Sequence, residues 1–306
     1  VYDWNGSGWT TGAALPAASI EAGVCGPGQQ ALYVGGYGGG FLSRTSERSG
    51  GSWTNTGNLN TARYAANATG TKADALCSGG YGPGAYNSTS ESYNGSSWTN
   101  STAMPAARGY AGAAGSSSDD QFLFGGSATG SNGTTSIKWN GTSWSADASL
   151  ATAKAGLGGF GSSTAALCGG SGNSPGASEE YNDGPATKTF TTSLNSPSYG
   201  GGAAGSAMTS MLAFGGATGP SNANSAKTQS YNGSNWSSEE DLPAAQAYNA
   251  GCGTEPAALS FNSAGTFEYD GTNWATNPNN ISPAINEVSG FGIQTAAIRV
   301  GGWGPT

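Results

Sequence analysis

The chain contains no histidine in 306 residues. That absence removes the Ser-His-Asp and Cys-His nucleophile arrangements and every imidazole-based metal site. Charge is scarce as well: Asp, Glu, Lys and Arg together supply 9% of the residues, against about 25% in an ordinary globular domain. Ten Lys and Arg are outnumbered by eighteen Asp and Glu, for a net charge of −8. A cationic face for phosphate is not expected, so no nucleic-acid partner is expected either. No polybasic run marks a membrane surface, and with no run of about 18 apolar residues no membrane insertion is expected. No signal-peptide pattern opens the chain, and Val1 in place of methionine suggests a processed or excised segment. The four cysteines form no Cys-x-x-Cys pair, which with the missing histidine speaks against zinc. Cys25, Cys77, Cys168 and Cys252 read instead as buried, unpaired thiols.

What the chain does have is periodicity. Trp9, Trp53, Trp98, Trp144, Trp236 and Trp274 recur with Phe190 in the place of a fifth, at gaps of 44, 45, 46, 46, 46 and 38 residues. A Gly-Gly pair after an apolar stretch recurs with them, at Gly35-Gly36, Gly79-Gly80, Gly125-Gly126, Gly169-Gly170, Gly215-Gly216 and Gly301-Gly302, and only Phe261-Asn262 breaks the series. Ahead of most tryptophans stands an aromatic followed by a turn dipeptide: Asn5-Gly6, Asn94-Gly95, Asn140-Gly141, Asn232-Gly233 or Asp270-Gly271. An aromatic, Asn-Gly, then an aromatic predicts a tight hairpin, because the turn needs positive φ and the flanks suit strands. The Asn-x-Ser/Thr triplets at Asn5, Asn94, Asn140 and Asn232 coincide with these hairpins, so turn geometry accounts for them. Disorder is excluded by the same periodicity, since nine tryptophans, thirteen tyrosines and nine phenylalanines supply a core.

Each unit of about 45 residues therefore carries four short strands and must stack on its neighbours to bury both sheet faces. The chain opens with a third and fourth strand and closes with a first and second, around Ile298 to Gly302. Pairing these halves closes a ring and leaves no raw ends. The expectation is an all-β, seven-bladed β-propeller forming a single domain over 1–306. Its blades span approximately 13–56, 57–101, 102–147, 148–192, 193–239, 240–277, and 278–306 plus 1–12.

The hydrophobic stretch with Gly-Gly, the aromatic before the turn and the tryptophan in the last strand resemble kelch repeats over essentially the whole chain. Units such as Tyr93-Asn94-Gly95-Ser96-Ser97-Trp98 and Trp139-Asn140-Gly141-Thr142-Ser143-Trp144 are also similar to kelch-like repeats of marine bacteriophage virion proteins. The chain departs from the pattern at Phe190, at Gly184-Pro185 in the fourth blade's hairpin, and at the missing Gly-Gly of the sixth blade. The kelch resemblance implies a first strand lining the central channel and a fourth strand outermost. The phage resemblance implies a virion-surface or extracellular location. The copper oxidases built on kelch propellers use histidine ligands, so that activity is excluded.

From each tryptophan position to the next Gly-Gly the spacing is 25 to 27 residues, but from Gly-Gly to the next tryptophan position it runs 18, 19, 19, 21, 21 and 13. Variation thus gathers in the connection from second to third strand, where a repeat scaffold places a binding surface. Equivalent positions on the links between blades read Ser19, Arg63, Arg108, Lys154, Ser198, Gln246 and Ile285. The three successive basic residues Arg63, Arg108 and Lys154 predict a positive arc for an anionic group on a ligand, although local hydrogen bonding is the alternative role for that position in kelch repeats. Tyr37, Phe41, Tyr81, Tyr86, Asn87 and Trp303 fall in the long loops, where exposed rings beside amides suit sugar rings; packing over a blade edge is the alternative.

Candidate chemistry is thin. A sialidase needs an arginine cluster, and no third arginine joins Arg63 and Arg108. A glycosidase needs two suitably separated carboxylates, whereas Glu91, Glu179, Glu180 and Glu268 belong to third strands and read as solvated strand faces. Asp119-Asp120 reads as a turn, without the Asp-x-Asp-x-Asp spacing of a calcium loop. The expectation is a non-enzymatic binding module with no cofactor and no metal, such as a phage tail fibre that recognises a host-surface glycan or receptor protein. A structural module that contacts other virion structural proteins, and a glycan-degrading enzyme, are the alternatives.

Overall fold

The computed structural model describes residues 1–26, 30–128, 131–169, 179–183, 194–196, 198, 200–207, 210–218, 222–263, 265–279 and 289–300. Phe190, Gly184-Pro185, Ile285, Gly170, Gly301-Gly302 and Trp303 lie outside them. The fold is an all-β, seven-bladed β-propeller of antiparallel blades. Two compact units divide the chain. One comprises Ala14–Cys168 and Glu180–Thr189, and the other Val1–Ala13, Gly169–Glu179 and Phe190–Thr306.

The first of these units holds blades 1 to 3 and most of what is described of blade 4. Blade 1 is Gly23–Cys25, Leu32–Val34, Thr45–Ser49 and Ser52–Thr56; blade 2 is Asn67–Thr71, Asp74–Ser78, Ser90–Tyr93 and Trp98–Ser101. Blade 3 is Gly112–Ser117, Asp120–Phe124, Ser136–Trp139 and Trp144–Asp147, and blade 4 shows Gly158–Gly161, Ala165–Gly169 and Glu179–Asn182. Second strands are buried nearly throughout, as at Gln121 to Phe124, while fourth strands such as Trp98–Ser101 are mostly exposed beyond their tryptophan. A strand covered on both faces must be apolar at successive positions, which is why Phe122, Leu123 and Phe124 stand side by side. Leu32 and Val34 of blade 1 pack with Ala75, Cys77, Tyr93 and Trp98 of blade 2, and Phe122 and Phe124 of blade 3 with Ala166, Cys168 and Tyr181 of blade 4. Each such phenylalanine stabilises the unit by about 2–3 kcal/mol through burial.

The second unit holds blades 5 to 7. Blade 5 is Gly202–Ala207, Ser210–Phe214, Thr228–Tyr231 and Trp236–Ser238; blade 6 is Ala250–Thr254, Ala257–Phe261, Thr266–Tyr269 and Trp274–Asn277. Blade 7 joins Ser289–Ile293 and Ala296–Val300 to Tyr2–Trp4 and Trp9–Thr11, with Tyr2 opposite Arg299, Asp3 opposite Ile298 and Trp4 opposite Ala297. The two ends of the chain thus complete one blade, as the sequence predicts. All four cysteines are buried and none is in a disulfide, and burial pushes the Cys25 and Cys252 thiols up to about 12.

The repeated residues have physical reasons. In Gly35-Gly36, Gly79-Gly80 and Gly125-Gly126 both glycines take positive φ, and the second N–H donates to the carbonyl of Arg63, Arg108 or Lys154 at 2.8–2.9 Å. A Cβ on the first glycine would stand 2.5–2.6 Å from that same oxygen, so only glycine admits the approach. In blade 6 Asn262 stands at the second glycine's position, and its side-chain amide donates to Ala247 O, in the link entering its own blade, at 3.0 Å. The turn asparagines also behave as predicted: Asn94 Oδ1 accepts from Ser96 N and Ser97 N, both at 3.0 Å, and Gly95 has φ +90°. Four of the repeated tryptophans add a link that periodicity alone does not show. The indole N–H of Trp98 donates to Thr45 Oγ1 at 2.8 Å and that of Trp144 to Ser90 Oγ at 3.1 Å, one blade back. In the other unit Trp274 reaches Thr228 and Trp9 reaches Thr266, both at 2.9 Å.

A candidate binding surface

The links that enter blades 1, 2 and 3 carry Glu21, Ala65 and Tyr110 at equivalent places, and all three have φ of 52–55°. The next link has Gly156 there, at φ +68°. Backbone bonds run head to tail along the series, from Ala65 N to Glu21 O at 2.8 Å, Tyr110 N to Ala65 O at 3.1 Å and Gly156 N to Tyr110 O at 2.8 Å. A side chain in this left-handed conformation costs about 1–2 kcal/mol that glycine avoids. Glu21 and Tyr110 are kept there nonetheless, and the Tyr110 hydroxyl donates to Glu21 Oε2 at 2.9 Å across the position held by the Ala65 methyl. Burial and the bond to the Glu21 carboxylate hold the Tyr110 phenol well above the ordinary tyrosine value.

Around this pair lies a continuous sheet of rings. Tyr64 and Tyr81 exchange backbone hydrogen bonds at 3.0 and 2.7 Å, and Ile20 and Tyr37 do the same at 2.9 Å in both directions. Their rings meet: Tyr64 lies 5.6 Å from both Tyr37 and Tyr81, 5.7 Å from Phe41 in a stacked arrangement and 6.2 Å from Tyr110. Tyr81 continues to Tyr86 at 5.0 Å. Offset and edge-to-face pairs of this kind hold one another in place by about 0.5–1.5 kcal/mol each. The loop from second to third strand in blade 2 is itself a small ribbon, Tyr81–Gly82 against Ala85–Tyr86, and a Cβ at Gly109 would meet the Tyr86 ring at 3.1 Å. Tyr37 is 39% exposed, the other five rings are half-buried, and Glu21 is exposed.

The structure brings together Tyr37, Phe41, Tyr81 and Tyr86 as a surface, and adds Tyr64, Tyr110 and Glu21. Aligning the links shows why three of these escape a sequence reading: Tyr64 follows Arg63, and Glu21 and Tyr110 stand two places after Ser19 and Arg108, where other links hold Gly156 and Gly200. Trp303 lies outside the described residues.

The basic arc requires correction. Arg63 and Lys154 are 0% exposed and Arg108 is 5% exposed. The Arg63 guanidinium donates to Glu91 Oε1 at 2.6 Å and to Thr89 O at 3.1 Å, and it also bonds Thr89 Oγ1. Arg108 donates to Thr135 O at 2.9 Å, Thr135 Oγ1 at 2.8 Å and Gly125 O at 3.3 Å, and burial lowers its pKa. Both arginines turn inward to carbonyls that also accept the N–H of the first glycine of the pair, Gly79 N to Thr89 O and Gly125 N to Thr135 O at 3.0 Å; with Lys154 buried as well, the three present no exposed positive arc to an external anion. Glu91 and Glu179, expected on solvated strand faces, are buried as well. The Glu91 carboxylate accepts from Asn60 N at 2.6 Å and Thr61 N at 3.2 Å in addition to Arg63. Asp119 lies in the turn between Gly112–Ser117 and Asp120–Phe124, as predicted, with Asp120 opening the second of these strands.

Among the described residues, no group of three or more His, Cys, Asp or Glu side chains is placed to hold a metal ion, and no helix is long and apolar enough to cross a membrane. The chain matches no protein-family model and no curated protein sequence.

Proposed function

We propose that the protein is a non-enzymatic binding module that recognises a glycan on a host surface, as part of a virion-surface appendage such as a tail fibre. One observation carries the reading: six aromatic rings, Tyr37, Phe41, Tyr64, Tyr81, Tyr86 and Tyr110, form a partly exposed platform around a backbone conformation that glycine would adopt without strain. Tyr248 keeps the same left-handed φ, 54°, at the equivalent place in the other unit, so the strain belongs to the repeat; what marks the platform as a site is the Tyr110 hydroxyl tied to an exposed carboxylate among the clustered rings. Rings locked edge-to-face and stacked leave their solvent-facing parts, Tyr37 above all, as apolar surface for the C–H face of a sugar, while the Glu21 carboxylate and the Tyr110 oxygen supply acceptors at the platform's border. The kelch-like spacing and the low-charge, Asn-Gly-rich style resemble repeats of marine phage virion proteins, and this resemblance supports the location. The carboxylate Glu91 is engaged by Arg63 and two backbone N–H groups, which removes it as a catalytic acid and favours binding over glycan cleavage.

A glycan array probed with the intact chain tests the proposal. Retention on a defined set of glycans, lost in Tyr64→Ala and without release of shortened products, is the expected result. An array with no retention, together with retention on other virion proteins, would favour the assembly role. Released products would establish an enzyme.

A further inference from the structure

We infer that the aromatic platform selects uncharged pyranoses and discriminates against acidic ones, with Glu21 as the discriminating residue and Tyr110 as the residue that holds it. The inference rests on the glycan reading above and adds the ligand's charge class. Glu21 is exposed at the border of the rings, and its Oε2 accepts the Tyr110 hydroxyl at 2.9 Å. This bond fixes a negative charge beside the ring faces and leaves Oε1 for a donor on the ligand. A sugar hydroxyl is such a donor; a uronate, sialate or sulfate group is not.

The cations that would reverse this preference are turned away. Arg63, Arg108 and Lys154 are interior. Arg44, half-buried, gives its Nη2 to Ala17 O at 2.7 Å and to Ser19 Oγ at 3.5 Å. The molecule's net charge of −8 adds to the local field. A carboxylate about 6 Å from Glu21 in a partly solvated setting is disfavoured about fivefold. The geometry of the pair is also specific to these two links, because Ala65 between them has only a methyl group and the following link has Gly156.

Matched probes test this: the methyl glycosides of glucose and glucuronic acid, and of galactose and galacturonic acid, which differ at C6 alone. Each is titrated into the intact chain at pH 7 up to about 10 mM, enough to register dissociation constants near 1 mM, with ligand-observed NMR as the readout. The neutral member of at least one pair is expected to bind about fivefold or more tightly than its uronate. Glu21→Gln should bring the pair to within about twofold, by removing the charge. Tyr110→Gly should weaken the neutral sugar about tenfold or more with only a small change in melting temperature, because the strain that glycine relieves at a φ of 55° offsets the lost ring contact with Tyr64. Uronates that bind as well as or better than the neutral sugars, or a gap unmoved by Glu21→Gln, would overturn the charge selection and leave the glycan reading intact. Binding of none of the four would overturn both.

Discussion

Replacing Glu91 by glutamine exchanges one carboxylate oxygen for an NH2 group and has a large expected cost. Glu91 and Arg63 are both 0% exposed and meet at 2.6 Å. Removing the negative partner leaves a guanidinium in the interior with no counter-charge, and breaking a buried pair in this way costs about 3–5 kcal/mol. Blade 5 shows the neutral solution to the same geometry. There Gln229 occupies the Glu91 position and Ser198 the Arg63 position, and the Gln229 amide accepts from Ser196 N at 3.1 Å and donates to Ser196 O at 3.2 Å. Glutamine is therefore compatible with the strand and the link; the arginine is what makes it costly. Glu91→Gln and Arg63→Ser should each destabilise strongly, whereas the double variant should recover, for a coupling energy on the order of 3 kcal/mol. Urea titration followed by tryptophan fluorescence reads this directly. With a slope of about 3 kcal/mol per M, Glu91→Gln lowers the midpoint by about 1 M or more. A single-variant cost below about 1 kcal/mol, or strictly additive effects, would refute the claim that these residues are an interior pair.

Two further outcomes follow from groups in blades 6 and 7. Arg299 is 1% exposed, its three side-chain nitrogens have no hydrogen-bond partner among the described residues, and it rests 5.3 Å over the Tyr2 ring; burial pushes its pKa down to about 10. Arg299→Met keeps the packing and removes the buried charge, so it should raise stability by on the order of 1–3 kcal/mol in a thermal melt, and a lower melting temperature would contradict this. Asp270 accepts backbone N–H bonds from Asn273 at 2.7 Å and Thr272 at 2.9 Å, which hold its carboxyl below the usual range. A depressed folded-state pKa gives stability that is present above about pH 4 and lost as pH falls through the folded value. Asp270→Asn, the residue four other turns use, should therefore shrink the drop in melting temperature between pH 7 and pH 3, and an unchanged drop would count against the turn geometry.

The fold is legible where a residue type answers a backbone demand. The Gly-Gly pairs, the Asn-Gly turns and the split of the last blade between Tyr2–Trp4 and Ala296–Val300 all follow from that kind of signal. Side-chain direction is another matter. Equal spacing reveals that Arg63, Arg108 and Lys154 share a position, but not that the position points inward toward carbonyls such as Thr89 O and Thr135 O. A buried arginine and an exposed one look identical in a sequence this short of charge. The platform was half visible, through Tyr37, Tyr81 and Tyr86 after or near the glycine pairs. Tyr64, Tyr110 and Glu21 were hidden because three links bring them together only through the head-to-tail bonds from Glu21 to Ala65 to Tyr110. The ribbon Tyr81–Gly82 with Ala85–Tyr86 has two residues a side, too few for any alternation to register. The bonds from Trp98 to Thr45 and from Trp144 to Ser90 join residues a full repeat apart, beyond the reach of local pattern.

The most direct test of the binding surface is a crystal structure of the intact chain with the saccharide best retained on the array. The account predicts a pyranose ring lying flat on Tyr37 or Tyr64, with a hydroxyl donating to Glu21. A saccharide seated elsewhere, such as against the strand ends at Gly26, Gly70 and Gly115, with the six rings uncovered, would contradict it.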